Sequence, residues 1–348
     1  MQVRFAASVL AATISAALFV PITASADIDF TSVSFGFRDD DFTAGIGASS
    51  GVITSLYASG ATGGLTQHSM SFNFNPQTGA SLPSGVWYWS DTSGTNTIFG
   101  TYTTTTYATG PAALLLASPR GTMQIQGGTG YYAGATGGGT FEQFQIVTAF
   151  DGTNALSYQE IAVERLQIGG LSPQEVAVAP PVDTRDVTVS INQGTNSAST
   201  GSNSGYITSV TPGTLPPLQY HEAHFTLTPG APYSQPIDGT YRASDDAGNE
   251  LRGSFHEDTP GDSYGYWYHA VGKSKVTGGT GAYADMAGGD DYEYFWLQTG
   301  GDPSLGTTDY LQVTIGRGTL SPAPEPGTYA LMGVGLALLG IAQRRRAR

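Results

Sequence analysis

The side chains in this chain that could do chemistry are five histidines, several clusters of carboxylates and a set of closely spaced aromatic rings. His221 and His224 form an HxxH pair, and His256 and His269 follow in the same stretch. Four histidines this close raise the question of zinc. The residues around the pair alternate polar and apolar, as in a strand, where positions i and i+3 face opposite sides. The two rings therefore cannot share a metal without a bulge. His221 stands on the apolar side with Ala223, Phe225 and Leu227, where a partly buried histidine can cap a core. Asp245, Asp246, Asn249 and Glu250 form an oxygen-rich turn. Ca²⁺ wants about six to eight oxygens in an ordered loop, and no D-x-D-x-D-G pattern is present, so a solvated hairpin turn is the expected role. There is no Ser-His-Asp order and no nucleotide loop, no cofactor is expected, and a non-enzymatic protein is the favoured reading.

The rings cluster as Trp87-Tyr88-Trp89, Tyr264, Tyr266-Trp267-Tyr268, Tyr292, Tyr294 and Trp296. Alternation puts Tyr264, Tyr266 and Tyr268 on one face and Trp267 with His269 on the other. Exposed rings in a row stack on sugar faces, whereas small barrels also fill their interiors with rings. Core filling is expected to take most of them. If a ligand site exists, His221, Tyr266, Trp267 and His269 are its candidate residues. The run Thr101–Thr106 could display alternate threonines, as ice-binding faces do, but one run supplies no stack of ranks and threonine is a good strand former.

These residues sit in a chain built for strands. Glycine makes up 48 of 348 residues and charged residues only 12%. "HSMSFNFN" puts His68, Met70, Phe72 and Phe74 on one face, and "HEAHFTLT" repeats the pattern, the period-two signature of a half-buried strand. There is no cysteine, so disulfides, thiol nucleophiles and Cys-ligated zinc are excluded, and stability must come from sheet pairing and core burial.

The chain reads as two copies of one unit. "GTMQIQGGTGYYAGATGGGTFEQF" at 121–144 aligns without gaps with "GKSKVTGGTGAYADMAGGDDYEYF" at 272–295. Gly51–Ser55 matches Gly205–Ser209, His68–Pro76 matches His221–Pro229, and Leu171-Ser172 matches Leu320-Ser321. A period this long implies that each copy holds its own core, unlike a solenoid repeat. The expected fold is all-β: two tandem antiparallel β-barrels of about eight strands each, with an N-terminal signal helix and a C-terminal hydrophobic helix. The expected divisions are a signal peptide at 1–26, barrel repeats at 27–172 and 184–321, a linker at 173–183 stiffened by Pro180-Pro181, and a sorting tail at 322–348.

The ends read as addresses. Arg4 precedes an apolar run, and Ala24-Ser25-Ala26 is a small-x-small site for signal peptidase, with maturation expected before Asp27. Setting aside Arg4, Arg344, Arg345, Arg346 and Arg348 leaves 9 basic residues against 28 acidic ones, a charge of −19 on the exported body. Such a body repels nucleic acid and anionic membranes. Near the C-terminus an apolar stretch, Tyr329–Ala342, is short for a hydrocarbon core about 30 Å thick and is followed by arginines that stay cytoplasmic.

Pro324-Glu325-Pro326, the apolar span and Arg344-Arg345-Arg346 together resemble the PEP-CTERM sorting signal. The resemblance covers about the last 25 residues. It implies transient anchoring in the inner membrane of a Gram-negative bacterium, processing by an exosortase, and release to the cell surface or extracellular matrix. Signal peptidase and exosortase are then the partners of export. Separately, Gly127-Gly128-Thr129-Gly130 and Gly278-Gly279-Thr280-Gly281, each followed by an aromatic and a small-residue stretch, resemble the turn of the allene oxide cyclase and dirigent barrel group. That resemblance implies the barrel fold alone; the catalytic cysteine and acidic positions of those enzymes are not placed on this sequence, and no activity is carried over. A phosphate site in these loops would need a following helix, and strands follow instead. The expected function is an exported structural or adhesive protein that could bind exopolysaccharide. The alternatives are a small-ligand-binding or cyclase-like barrel and an ice-binding protein. A filled lumen in both copies favours the first; an open lumen lined by His221, tyrosines and acids favours a ligand carrier.

Overall fold

In the computed structural model the described residues are 28–41, 43–58, 64–73, 84–109, 116–150, 155–171, 186–197, 199–210, 215–227, 237–264, 267–302 and 304–322. The expected signal helix, the linker and the sorting tail beyond residue 322, including Ala24, Ala26, Asp27, Pro324, Glu325, Pro326, Arg344, Arg345 and Arg346, lie outside them, as does Tyr266.

The described chain is all-β. Strands β1 (Ile28–Asp41), β2 (Ile46–Ala58), β3 (Gln67–Asn73), β4 (Ser84–Ser90), β5 (Thr97–Thr109), β6 (Leu116–Thr129), β7 (Thr136–Phe150) and β8 (Ala155–Gly169) close in sequence order into one barrel. Strands β9 (Asp186–Asn196), β10 (Thr200–Val210), β11 (Tyr220–Thr226), β12 (Asp238–Ser244), β13 (Glu250–Tyr264), β14 (Trp267–Thr280), β15 (Met286–Gly300) and β16 (Thr308–Pro322) close into a second. Every pairing is antiparallel, and β1–β8 and β9–β16 close the rings. Closure leaves no free edge to recruit another chain.

The Gly-Gly-Thr-Gly motifs end β6 and β14. Each runs into a single 3-10 turn, Gly130–Tyr132 and Gly281–Tyr283. Gly130 and Gly281 have φ near +60°, a conformation that favours glycine, and the amide oxygens of Asn96 and Asn249 sit where a Cβ would go. These oxygens accept the Tyr131 and Ala282 N–H groups at 2.9 and 2.8 Å. The motif is a strand-to-strand corner tied to a neighbouring hairpin.

The outer faces of the two barrels meet. Val33, Phe35, Phe144, Ile161 and Val163 of the first form one buried cluster with Val189, Trp267, Phe295, Leu311, Val313 and Ile315 of the second. Phe35 stacks on Phe295 with centroids 6.3 Å apart. At its margin Thr54 donates to Glu293 Oε2 at 3.1 Å, and the same oxygen lies 2.9 Å from His269 Nε2.

Candidate functional site

The two lumens share one register and differ in what fills them. Equivalent positions follow from the cross-strand partners. In the first barrel His68 faces Trp89, Met70 faces Trp87 and Arg38 faces Ser49 and Tyr158. In the second His221 faces Ala243, Ala223 faces Tyr241 and Gly194 faces Asn203 and Tyr310.

The first lumen is packed. Trp87 and Trp89, 4.9 Å apart, lie fully buried among Met70, Phe72, Ile98, Tyr102, Met123, Phe141 and Leu166. Toward one end, Arg38 reaches inward between the rings of Phe72 and Tyr158, at 4.5 and 4.6 Å. Its guanidinium donates to both Asp40 oxygens at 2.9 and 2.7 Å and to Gln145 at 3.0 Å. Burial works against the Arg38 charge, but Asp40, with Glu160 behind it, holds its pKa above the usual value. Deeper in, Glu164 accepts from Ser32 at 2.6 Å and lies 3.3 Å from His68 Nε2. This barrel is solid, with its charges paired.

The second lumen is open. Six inward positions lose most or all of their side chain relative to the first: Trp89 becomes Ala243, Met70 becomes Ala223, Met123 becomes Ser274, Arg38 becomes Gly194, Leu166 becomes Gly318 and Glu164 becomes Gly316. A few positions grow, notably Thr104 to Glu257 and Gln145 to Trp296. The net result is a cavity of about 660 Å³, within the roughly 300–1,000 Å³ range of small-molecule sites.

The cavity has two ends. One is apolar: Leu218, Ala243, Leu251, Val276 and Tyr283 pack there. The other carries Phe225, Phe255, Tyr292, Tyr294, Trp296 and Tyr310 with Asn196, Asn203, Glu257 and Gln312. Glu257 is 2% exposed and accepts from the Tyr294 hydroxyl at 3.0 Å. Burial pushes its carboxyl up to about 7, against the pull of Tyr294. His221 lies 3.2 Å from Asn192 and stacks on Tyr241; burial lowers its pKa to about 4, so the ring is neutral. Burial likewise pushes the Tyr241 hydroxyl up to about 12.

The residues singled out in sequence are separated by the fold. His221 lines the cavity. Trp267 and His269 lie on the outer surface of the same barrel, sealed against the first, where His269 stacks on Phe295 at 4.6 Å. His224 points away from the lumen, paired with Glu222 at 2.9 Å, as strand alternation requires. Among the described residues no three His, Asp or Glu side chains cluster to hold a metal. In the oxygen-rich turn, Asp245 accepts from the Ala247 and Asn249 N–H groups and the Asn249 amide. Asp246 accepts from Tyr220, and Glu250 accepts from Arg242 and Arg252. Asp91 closes the matching turn of the first barrel in the same way. Of the rings flagged for sugar stacking, Tyr264 and Tyr266 set aside, Tyr88 alone is exposed. The run 101–106 lies on β5, an antiparallel strand, with Tyr102 and Thr104 turned inward. Glu257, Asn196 and Asn203 belong to no motif; aligning the two copies by strand register is the signal that finds them.

Fold and site together define a twin eight-stranded barrel protein with one solid and one hollow unit. Residues 322–346 match the model of the PEP-CTERM protein-sorting motif. That motif implies an exported protein processed by an exosortase and targeted to the cell surface. A search of curated proteins finds no match to the chain.

Proposed function

We propose that this protein is a surface-delivered small-ligand carrier: the second barrel holds a molecule in its lumen, and the first is a solid support clamped to its side. The observation that carries this reading is the contrast between two lumens of one register, where large side chains in the first are replaced by alanine, serine and glycine in the second. A purely structural pair of barrels has no use for a hollow member, since packing favours filled interiors. The cavity wall also bears a neutral histidine, several tyrosines and a buried carboxyl, the mixture of apolar area and few polar groups that ligand pockets use.

Export precedes binding in this scheme. Signal peptidase removes residues 1–26, the tail holds the body at the inner membrane, and exosortase cleavage near Pro324-Glu325-Pro326 releases it. Native mass spectrometry of the protein recovered from the cell surface tests the carrier role. A bound small molecule that is absent from an Ala243→Trp variant supports it; a protein that comes through empty and remains empty against small-molecule extracts of its own culture overturns it.

A further inference from the structure

We infer that the hollow barrel selects an uncharged, flat ring compound that carries a hydrogen-bond donor, and rejects its anionic analogues; this rests on the carrier reading above. The argument starts from charge. Among the described residues no lysine or arginine lines the cavity, while Glu257 and Asp290 do. A carboxylate, sulfonate or phosphate entering the lumen would lose its water without meeting a cation, a cost far larger than packing can offset.

The register shows how this neutrality arose. At the matching end of the first barrel, a cation and carboxylates are buried together: Arg38 with Asp40 and Glu160. In the second, Arg38 is replaced by Gly194, Asp40 by Asn196 and Glu160 by Gln312. Both signs of charge leave together, and amides take the carboxylate positions. Phe72 and Tyr158, which flank the Arg38 guanidinium, persist as Phe225 and Tyr310. That end of the lumen keeps its aromatic walls, loses its cation and gains one carboxyl, Glu257, at the Thr104 position. Tyr310 leans over Gly194 and shares its edge with Trp296, 5.9 Å away.

Unpartnered polar atoms complete the picture. Asn196 and Asn203 line the cavity, and the Oδ1 atom of each is buried with no hydrogen-bond partner within the protein. The Asn203 amide nitrogen is already committed to Gln312 at 3.0 Å, which leaves its oxygen as an acceptor. Buried acceptors are normally satisfied, and a ligand N–H or O–H at this end would satisfy them. The Tyr292 hydroxyl is a third buried group without a partner on the cavity wall. Rings on the walls favour a flat partner by stacking, and the apolar far end accepts its hydrocarbon portion.

Two fluorescent probes that differ by one charged group test this. N-phenyl-1-naphthylamine is uncharged, flat and carries an N–H; 8-anilino-1-naphthalenesulfonate adds a sulfonate to the same skeleton. Titrated into the full chain, the neutral probe is expected to bind at least tenfold more tightly than the sulfonate. Ala243→Trp, and separately Ala223→Met in case the first variant does not fold, should each weaken the neutral probe at least tenfold. Equal binding of both probes, sensitive to those variants, overturns the charge selectivity and leaves the carrier role standing. Neutral-probe binding that is unaffected by either folded variant, or no binding of either probe, overturns both.

Discussion

Ala243 in the second barrel stands where Trp89 stands in the first: each faces the histidine of the preceding strand, His221 and His68 respectively. That one pair expresses most of the difference between a solid barrel and a hollow one. Trp89 is fully buried against Trp87, Met70 and Ile98, and Ala243 leaves the same volume to solvent or ligand.

Trp89→Ala should therefore cost the first barrel about 3–5 kcal/mol, the usual penalty for removing a large buried ring. Denaturant unfolding with an unchanged m-value would measure it. The reciprocal change, Ala243→Trp, fills space that is already open and should cost much less.

The buried ion pair gives a second outcome. Arg38→Ala strands Asp40 in a site where that carboxylate is almost wholly shielded, and should destabilise by about 3–5 kcal/mol. The double variant Arg38→Gly with Asp40→Asn copies the second barrel and should be less damaging than Arg38→Ala alone. A double-mutant cycle in urea reads the coupling.

Stability should respond to pH through two lumen groups that oppose each other. Glu257 holds a proton in the folded state that the unfolded chain has released between about 4.5 and 7; its contribution falls as pH rises through that window. His221 stays neutral in the folded state while the unfolded chain takes up a proton between about 4 and 6.5; its contribution rises with pH there. Each is worth up to about 3 kcal/mol, so they nearly cancel between pH 4.5 and 6.5. Glu257→Gln should expose the rising slope of His221, and His221→Gln the falling slope of Glu257. Chemical denaturation at half-unit pH steps checks both signs.

The joint between the barrels is also open to test. Phe295 is fully buried and stacks on Phe35 across the contact. Phe295→Ala should remove about 3–5 kcal/mol of packing and split calorimetric unfolding into two transitions, with the probe-binding lumen retained in the folded second barrel.

Replacing Pro324-Glu325-Pro326 with alanines should leave the protein in the inner-membrane fraction with its arginines still attached, whereas the unaltered chain is released. Fractionation followed by intact-mass measurement distinguishes the two.

Much of this was legible from residue order. Alternation in "HSMSFNFN" and "HEAHFTLT" placed His68, Met70 and Phe72, and His221, Ala223 and Phe225, on inward faces, because a strand offers only two sides. The repeat required two cores, and Pro-Glu-Pro with its apolar span and arginines marked an exported chain. Alternation also separated His221 from His224. It could not say that Trp267 and His269 face another barrel instead of solvent or a ligand, because an outward position becomes buried only when a second surface covers it. Nor could it distinguish a filled lumen from an empty one. Whether alanine at 243 makes a hole depends on what the neighbouring strands bring to the lumen, and Met70, Met123 and Arg38 lie far apart in sequence from Trp89. Local order thus determined which way each side chain points and where the chain is sent; ring closure and barrel-to-barrel contact decided which of those faces are sealed, which are packed and which enclose a space, because volume is a sum over residues that only the closed sheet brings together.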